Sequence, residues 1–184
     1  KANESKGKED ILQKVQKSKN SPAKELLDIS LDAEEYTVTF VANGQTVTRK
    51  ALFDWSKEDN ERIRYYSGTA IYKTTFPWKY KEQKDRQVYL HLGTVYNLAT
   101  VRVNGIDCGT VWTAPYRADI TAALKKGTNE LEIEVTNTWA NALKGTDEGK
   151  APFEGIWTNA KYRKQENTLL PGGLLGPLYL EQSN

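Results

Sequence analysis

The sequence contains few of the residues from which disulfides, redox centres and zinc sites are built. Its 184 residues include one cysteine, one histidine and no methionine. A single cysteine excludes an internal disulfide and a zinc site made of several cysteines. It leaves the cellular compartment open, because secreted domains of this size do not need disulfides. The chain starts at Lys1 without a methionine, so we expect a processed or excised piece of a longer protein.

Excess charge of one sign and long apolar runs are also missing. The 26 basic and 24 acidic residues give a net charge of +2, which offers no electrostatic footprint for nucleic acid or for an anionic membrane. No run of about 18 apolar residues predicts a transmembrane helix. With 38% hydrophobic and 27% charged residues, the composition is that of one globular domain. We therefore expect neither nucleic acid nor a membrane as a partner.

The N-terminal part differs in composition from the rest of the chain. Lys1 to Lys24 is rich in Lys, Ser, Asn and Glu, and its apolar cluster is limited to Ile11, Leu12 and Val15. Such a segment cannot bury much apolar surface. We predict that residues 1–34 form a tail or linker, disordered or with a short helix over Lys8 to Lys17, and that residues 35–184 form the domain.

Residues 35–184 repeatedly alternate between apolar and polar side chains, which is the period of a half-buried β-strand. The apolar positions include Tyr36, Val38, Phe40, Val88, Leu90, Leu92, Leu131, Ile133 and Val135. Asn43-Gly44 and Asn104-Gly105 supply the positive-φ residues of tight hairpins, and Trp55 is expected to anchor in the core. Trp139 to Ala151 is typical of a loop with a turn of helix, and a strand is predicted near Ile156 to Tyr162. About eight short strands and little helix predict a β-sandwich.

The stretch VNGIDCGTVWTAPYRADITAALKKGTNELEIEVTN, from Val103 to Asn137, resembles a characteristic run of the jelly-roll sugar-binding domain of family 2 glycoside hydrolases. IRYYSGTAIYKTTF (Ile63 to Phe76) and GGLLGPLYL (Gly172 to Leu180) resemble the terminal β-sandwich of family 106 α-L-rhamnosidases. The resemblance implies an all-β, galactose-binding-like jelly roll from a bacterial polysaccharide-degrading system, in a periplasmic or extracellular location. In these families a separate barrel domain carries the catalytic acids, and nothing in this chain corresponds to that barrel.

Catalytic residues are not placed by any pattern in the chain. Glycoside hydrolysis needs two facing carboxyls roughly 5–10 Å apart, and the acids near turns or aromatics fall in no such arrangement: Asp107, Asp119, Asp147, Glu148 and Glu154. Asp119 fits the cap of a helical turn, and Asp147 with Glu148 fits a solvated loop. His91 is predicted on the outer face of a strand, and Cys108 is predicted to be an idle free thiol. We expect no catalytic role and no cofactor, although loop oxygens could hold a structural calcium.

The candidate binding residues lie in the loop after Val111, in the loop after Thr138 and in a later segment that contains Trp157. Sugars stack their C–H faces on Trp and Tyr and pair their hydroxyls with Asn or Arg. The candidate carbohydrate-binding residues are Trp112, Tyr116, Arg117, Trp139, Asn141 and Trp157. Alternatively, Trp112, Tyr116 and Trp139 plug the end of the core.

We therefore predict a non-catalytic carbohydrate-binding or ancillary domain associated with a glycoside hydrolase. Two alternatives stay open at this point. One is a structural module that braces a catalytic barrel or a partner chain, and the other is a small independent glycoside hydrolase.

Overall fold

The predicted period-two strands are present in the computed structural model, which describes residues 29–31, 34–79, 86–159 and 168–183. The strands are β1 Ile29–Ser30, β2 Tyr36–Phe40, β3 Gln45–Arg49, β4 Thr69–Trp78, β5 Gln87–His91, β6 Thr94–Tyr96, β7 Leu98–Val103, β8 Ile106–Val111, β9 Arg117–Asp119, β10 Gly127–Thr136, β11 Gly173–Gly176 and β12 Tyr179–Ser183. The helices are α1 Glu61–Arg64 and α2 Ala140–Asp147, with 3-10 turns at Trp55–Lys57 and Thr121–Ala123.

The strands form two main antiparallel sheets that enclose one core. The six-stranded sheet has the order β3-β2-β4-β10-β7-β8, the four-stranded sheet has the order β1-β12-β5-β9, and β11 pairs with β6. The six-stranded sheet contributes Val38, Val101 and Ile133 to the core, and the four-stranded sheet contributes Leu90 and Leu180. The predicted all-β sandwich and the inward faces of its strands are thus confirmed.

The hairpin between β7 and β8 is fixed by a network of asparagine side chains. Asn104 takes a φ of 52° and Gly105 a φ of 78°. The side chain of Asn104 donates to Ala123 and to Asn129 Oδ1, both at 2.8 Å, and accepts from the Glu130 N–H at 3.0 Å. Asn129 is fully buried, and its amide is therefore a structural part of the interior.

The core around Trp55 is closed by the C-terminal segment. The Trp55 indole N–H donates to the Tyr72 hydroxyl at 2.7 Å, and the Leu174 N–H donates to the same oxygen at 3.2 Å. The Trp55 N–H donates to Gly172 O at 2.9 Å. Burial raises the pKa of Tyr72 well above its ordinary value. The predicted role of Trp55 as a core anchor is confirmed.

Changing Tyr72→Phe is expected to lower the free energy of unfolding by about 2–3 kcal/mol, because it leaves the donors of Trp55 and Leu174 buried without their acceptor. Urea unfolding followed by tryptophan fluorescence measures the loss. Tyr89→Phe is the matched control, since its hydroxyl donates to Gln87 at an exposed position. Equal stability of the two variants would contradict the importance of the shared hydroxyl.

Three local predictions are corrected by the structure or fall partly outside the described residues. The segment after β10 forms the two-turn helix α2 rather than a loop with a single turn, and residues 156–159 form no strand. The rest of the strand predicted near Ile156 to Tyr162 lies outside the described residues. Within the predicted tail, Ile29–Ser30 pairs with β12, while the helix predicted over Lys8 to Lys17 lies outside the described part. No described helix has the length and apolarity needed to cross a membrane.

Candidate functional site

Trp112 and Trp139 follow strands that finish at the same end of the six-stranded sheet. The register aligns Val111 of β8, Ala99 of β7 and Val135 of β10 in one row. Because β8 and β10 are two strand spacings apart, the starts of the two loops are about 10 Å apart. The side chains of Trp112 and Trp139 are 75% and 57% exposed. The sheet therefore brings together the two loops that the sequence analysis selected.

Trp139 is connected to the core by a series of contacts between aromatic rings. Its ring meets Phe153 edge to face at 6.1 Å between centroids, and Phe153 meets Tyr66 at 6.0 Å. Tyr66 in turn contacts Phe40 and Trp55. Edge-to-face contacts of this kind restrict ring orientation. Sequence reasoning missed Phe153 as a support, and its position in an aperiodic polar segment gave little signal for this role.

Trp157 is the third exposed tryptophan. It is 80% exposed and lies four residues after Phe153, so the two Cα atoms are at most about 14 Å apart. The remaining tryptophans, Trp55 and Trp78, are buried. The alternative that Trp112 and Trp139 plug the end of the core is wrong, because both are exposed, whereas Tyr116 does pack against the core.

Tyr116 and Arg117 are held by contacts with the core and with the four-stranded sheet. Tyr116 is half-buried against the core, and its carbonyl accepts from the Leu92 N–H at 2.8 Å. Arg117 begins β9, and its guanidinium lies 4.5 Å over the Tyr89 ring and 4.0 Å from Glu181. These contacts hold Arg117 on the four-stranded sheet.

The side chain of Asn141 is buried and hydrogen-bonded to the backbone, so it is not open to a ligand. It is 3% exposed, donates to Leu170 O at 2.8 Å and accepts from the Leu170 N–H at 2.9 Å. Asn137 similarly accepts from Gly68 and donates to Tyr66. Both amides tie chain segments together, so we leave Asn141 out of the contact surface developed below.

The other chemically reactive candidates also have packing contacts. His91 stacks on Tyr179 with ring centroids 4.4 Å apart, and its Nε2 lies within hydrogen-bond distance of the buried Glu181. Burial raises the pKa of the Cys108 thiol, which disfavours the nucleophilic thiolate. Asp119 accepts from the N–H and the hydroxyl of Thr121. The N-cap residue of the following 3-10 turn is Ile120, so Asp119 does not occupy the predicted cap position. Among residues whose placement is described, no three His, Cys, Asp or Glu side chains cluster as metal ligands would.

Comparisons with known proteins agree with this architecture. The family model described as glycosyl hydrolase 2 galactose-binding domain-like matches residues 47–169. A curated protein of Formosa agariphila named "Putative beta-glucuronidase" is 36% identical over 174 residues, an alignment that covers 79% of this chain and 15% of that protein.

Two solved structures extend the comparison to three dimensions. A rhamnosidase from Novosphingobium sp. PP1Y is 36% identical with a TM-score of 0.76, over 84% of this chain and 15% of that one. An FMN-binding β-glucuronidase from Faecalibacterium prausnitzii L2-6 is 25% identical with a TM-score of 0.57, over 84% of this chain and 22% of that one. The chain thus spans less than a quarter of the length of each of these relatives.

Proposed function

The chain belongs to the glycosyl hydrolase 2 galactose-binding domain-like family, and from this premise we propose that it is a non-catalytic carbohydrate-binding domain of a longer glycosidase. The proposed contact surface consists of Trp112, Trp139 and Trp157, and we call it the tryptophan surface. The observation that carries the proposal is the exposure of these three rings. Two of them, Trp112 and Trp139, follow strands that finish at the same end of the six-stranded sheet.

Exposed tryptophans are suited to sugars because each ring offers a flat apolar face together with one N–H donor. Trp139 is the best supported of the three, since Phe153 and Tyr66 restrict its ring from the core side. A ring whose orientation is already restricted loses less conformational entropy when a ligand stacks on it. This arrangement favours recognition of a sugar face over an adaptable, non-specific apolar contact.

The non-catalytic part of the proposal rests on the acids of the segment between Trp139 and Trp157. Hydrolysis needs two carboxyls that face each other across a sugar. Glu148 accepts a hydrogen bond from the Tyr65 hydroxyl at 2.7 Å, and Glu154 is exposed beside Phe153. We assign catalysis to a separate domain of the longer enzyme, because this chain spans 15% of the Formosa protein and 15% of the rhamnosidase.

We expect Trp112→Ala and Trp139→Ala each to weaken glycan binding about fivefold, since one stacked ring contributes on the order of 1 kcal/mol. The measurement is an NMR titration of the whole chain with oligosaccharides that contain rhamnose, galactose or uronic acid. The parent chain should bind the preferred glycan with a Kd in the roughly millimolar range, as two rings and a few hydrogen bonds allow.

Ile106→Ala is the matched control, because Ile106 is 49% exposed at the opposite end of β8. Each variant must first show the unfolding midpoint of the parent chain. The bracing alternative is favoured instead if no glycan shifts the tryptophan surface and the same rings become protected when the chain is joined to the rest of its enzyme.

A further inference from the structure

A polar groove lies on the outer face of the six-stranded sheet, away from the tryptophan surface. Its volume is about 560 Å³, which is within the range of small-ligand sites. The lining residues used below are Glu34, Glu35, Thr37, Lys73, Thr75, Arg102, Glu130 and Glu132. We call this feature the sheet groove.

Strand register fixes the polar side chains of the sheet groove in rows. Thr37, Lys73, Glu132 and Arg102 are consecutive partners across β2, β4, β10 and β7. Thr75 and Glu130 form the adjacent row. Neighbouring side chains in a row are therefore about 4.8 Å apart and cannot change their order.

Ion pairs hold the centre of the sheet groove in one arrangement. Glu132 accepts from Lys73 at 3.0 Å through one carboxylate oxygen and from Arg102 at 3.1 Å through the other. Arg102 also contacts Glu134 through the same Nη1 atom. The Lys73 ammonium, followed by the Arg102 guanidinium, lowers the pKa of Glu132. The charged groups of Glu132, Lys73 and Arg102 are thus preorganised for contact with a ligand.

Uncompensated carboxylates surround this centre. The groove lining contains four glutamates but only two cations. Within the described part of the chain, the carboxylates of Glu34, Glu35 and Glu130 have no ion pair. A negatively charged ligand in the groove would be repelled by these carboxylates. Salt would screen the repulsion only in part, because neighbouring side chains are about 4.8 Å apart and the Debye length in physiological salt is about 8 Å.

We propose that the sheet groove is a separate binding site for neutral saccharides and that it rejects uronic acids. Vicinal hydroxyls can donate to the free carboxylates and accept from Lys73 and Arg102, so a polyhydroxylated ligand satisfies both kinds of group. A polypeptide partner that binds through apolar side chains is less suitable, because the one apolar lining residue of the groove, Leu131, is buried. The sheet groove and the tryptophan surface are both proposed to bind saccharides, but they share no residues.

The test is an NMR titration of the isotope-labelled chain with matched pairs of oligosaccharides. Each pair has the same linkage and differs only in oxidation at C6: galactose and galacturonate, glucose and glucuronate, mannose and mannuronate. We expect at least one neutral member to shift the backbone amides of Lys73, Thr75, Arg102 and Glu130. Its uronate partner should bind at least tenfold more weakly, and the difference should narrow in about 1 M salt, where the Debye length is ~3 Å.

Three substitutions distinguish binding in the sheet groove from binding at the tryptophan surface. Glu130→Gln should strengthen uronate binding at least threefold, because it removes one carboxylate that has no ion pair. Asp59→Asn removes the same charge from an exposed position outside the groove and should change nothing. Trp112→Ala should leave the groove shifts intact.

Two results would overturn the proposal. One is that no neutral oligosaccharide shifts the groove amides at its highest soluble concentration. The other is that each uronate binds as tightly as its neutral partner. Neither result bears on the tryptophan surface, whose amides report independently in the same spectra.

Discussion

Gly93→Ala is expected to lower the free energy of unfolding by about 3–4 kcal/mol, a large part of the roughly 5–15 kcal/mol that is typical of folded domains. A Cβ at Gly93 would lie 2.1 Å from both the carbonyl carbon and the oxygen of Gly176. Both atoms belong to the backbone, so rotation of a side chain cannot relieve the overlap. Overpacking costs roughly 1–3 kcal/mol, and the left-handed φ of 60° at Gly93 adds about 1 kcal/mol.

Gly44→Ala separates the two contributions. Gly44 has a φ of 67°, but a Cβ there would meet nothing within 4 Å. This variant should lose only about 1 kcal/mol, the cost of the backbone conformation. Urea unfolding of both variants gives the comparison. Losses of equal size would show that the approach of Gly93 to Gly176 is not tight.

Asn129→Asp is expected to lower the free energy of unfolding by about 3–5 kcal/mol at pH 7, because it places an uncompensated charge in the interior. The Asn129 amide nitrogen donates to Lys125 O at 2.9 Å and to Gly127 O at 3.0 Å. A carboxylate oxygen in its place would face two carbonyl oxygens. Asn159→Asp, at an exposed position, should have little effect.

The destabilisation by Asn129→Asp should depend on pH in a defined direction. Burial raises the pKa of the introduced carboxyl in the folded state above its unfolded value of about 3.9. The charge penalty is therefore absent below the unfolded value, grows as the pH rises, and is complete above the folded value. Urea unfolding of variant and parent at pH 5 and pH 7 should give the smaller difference at the lower pH. A difference independent of pH would contradict the buried-charge explanation.

The sheets could be predicted from the sequence because their signal is local. Val38, Leu90 and Ile133 each occupy an apolar position of a period-two pattern, and each is buried. The Asn104-Gly105 turn has its own signature, and the resemblance supplied the jelly-roll class. By contrast, α2 is only eight residues long, and one of these is a glycine, so its periodicity is too short to distinguish it from a loop.

The candidate site was predicted in part. The sequence places Trp112 and Trp139 after two strands, and strand pairing then fixes the end at which they emerge. It could not show that Trp139 stays exposed, since exposure of a loop residue depends on which distant segments pack over it. Asn141 illustrates the same limit, because its partner Leu170 is 29 positions away.

The closure of the core around Trp55 by the C-terminal segment has a consequence for synthesis on the ribosome. Gly172 donates to Asp54 across 118 positions of the chain. At about 5–20 residues per second, on the order of ten seconds separates the emergence of these two residues. During that interval the indole of Trp55 lacks its cover from Gly172, Gly173 and Leu174. The core around Trp55 can therefore be completed only after nearly all of the domain has been translated.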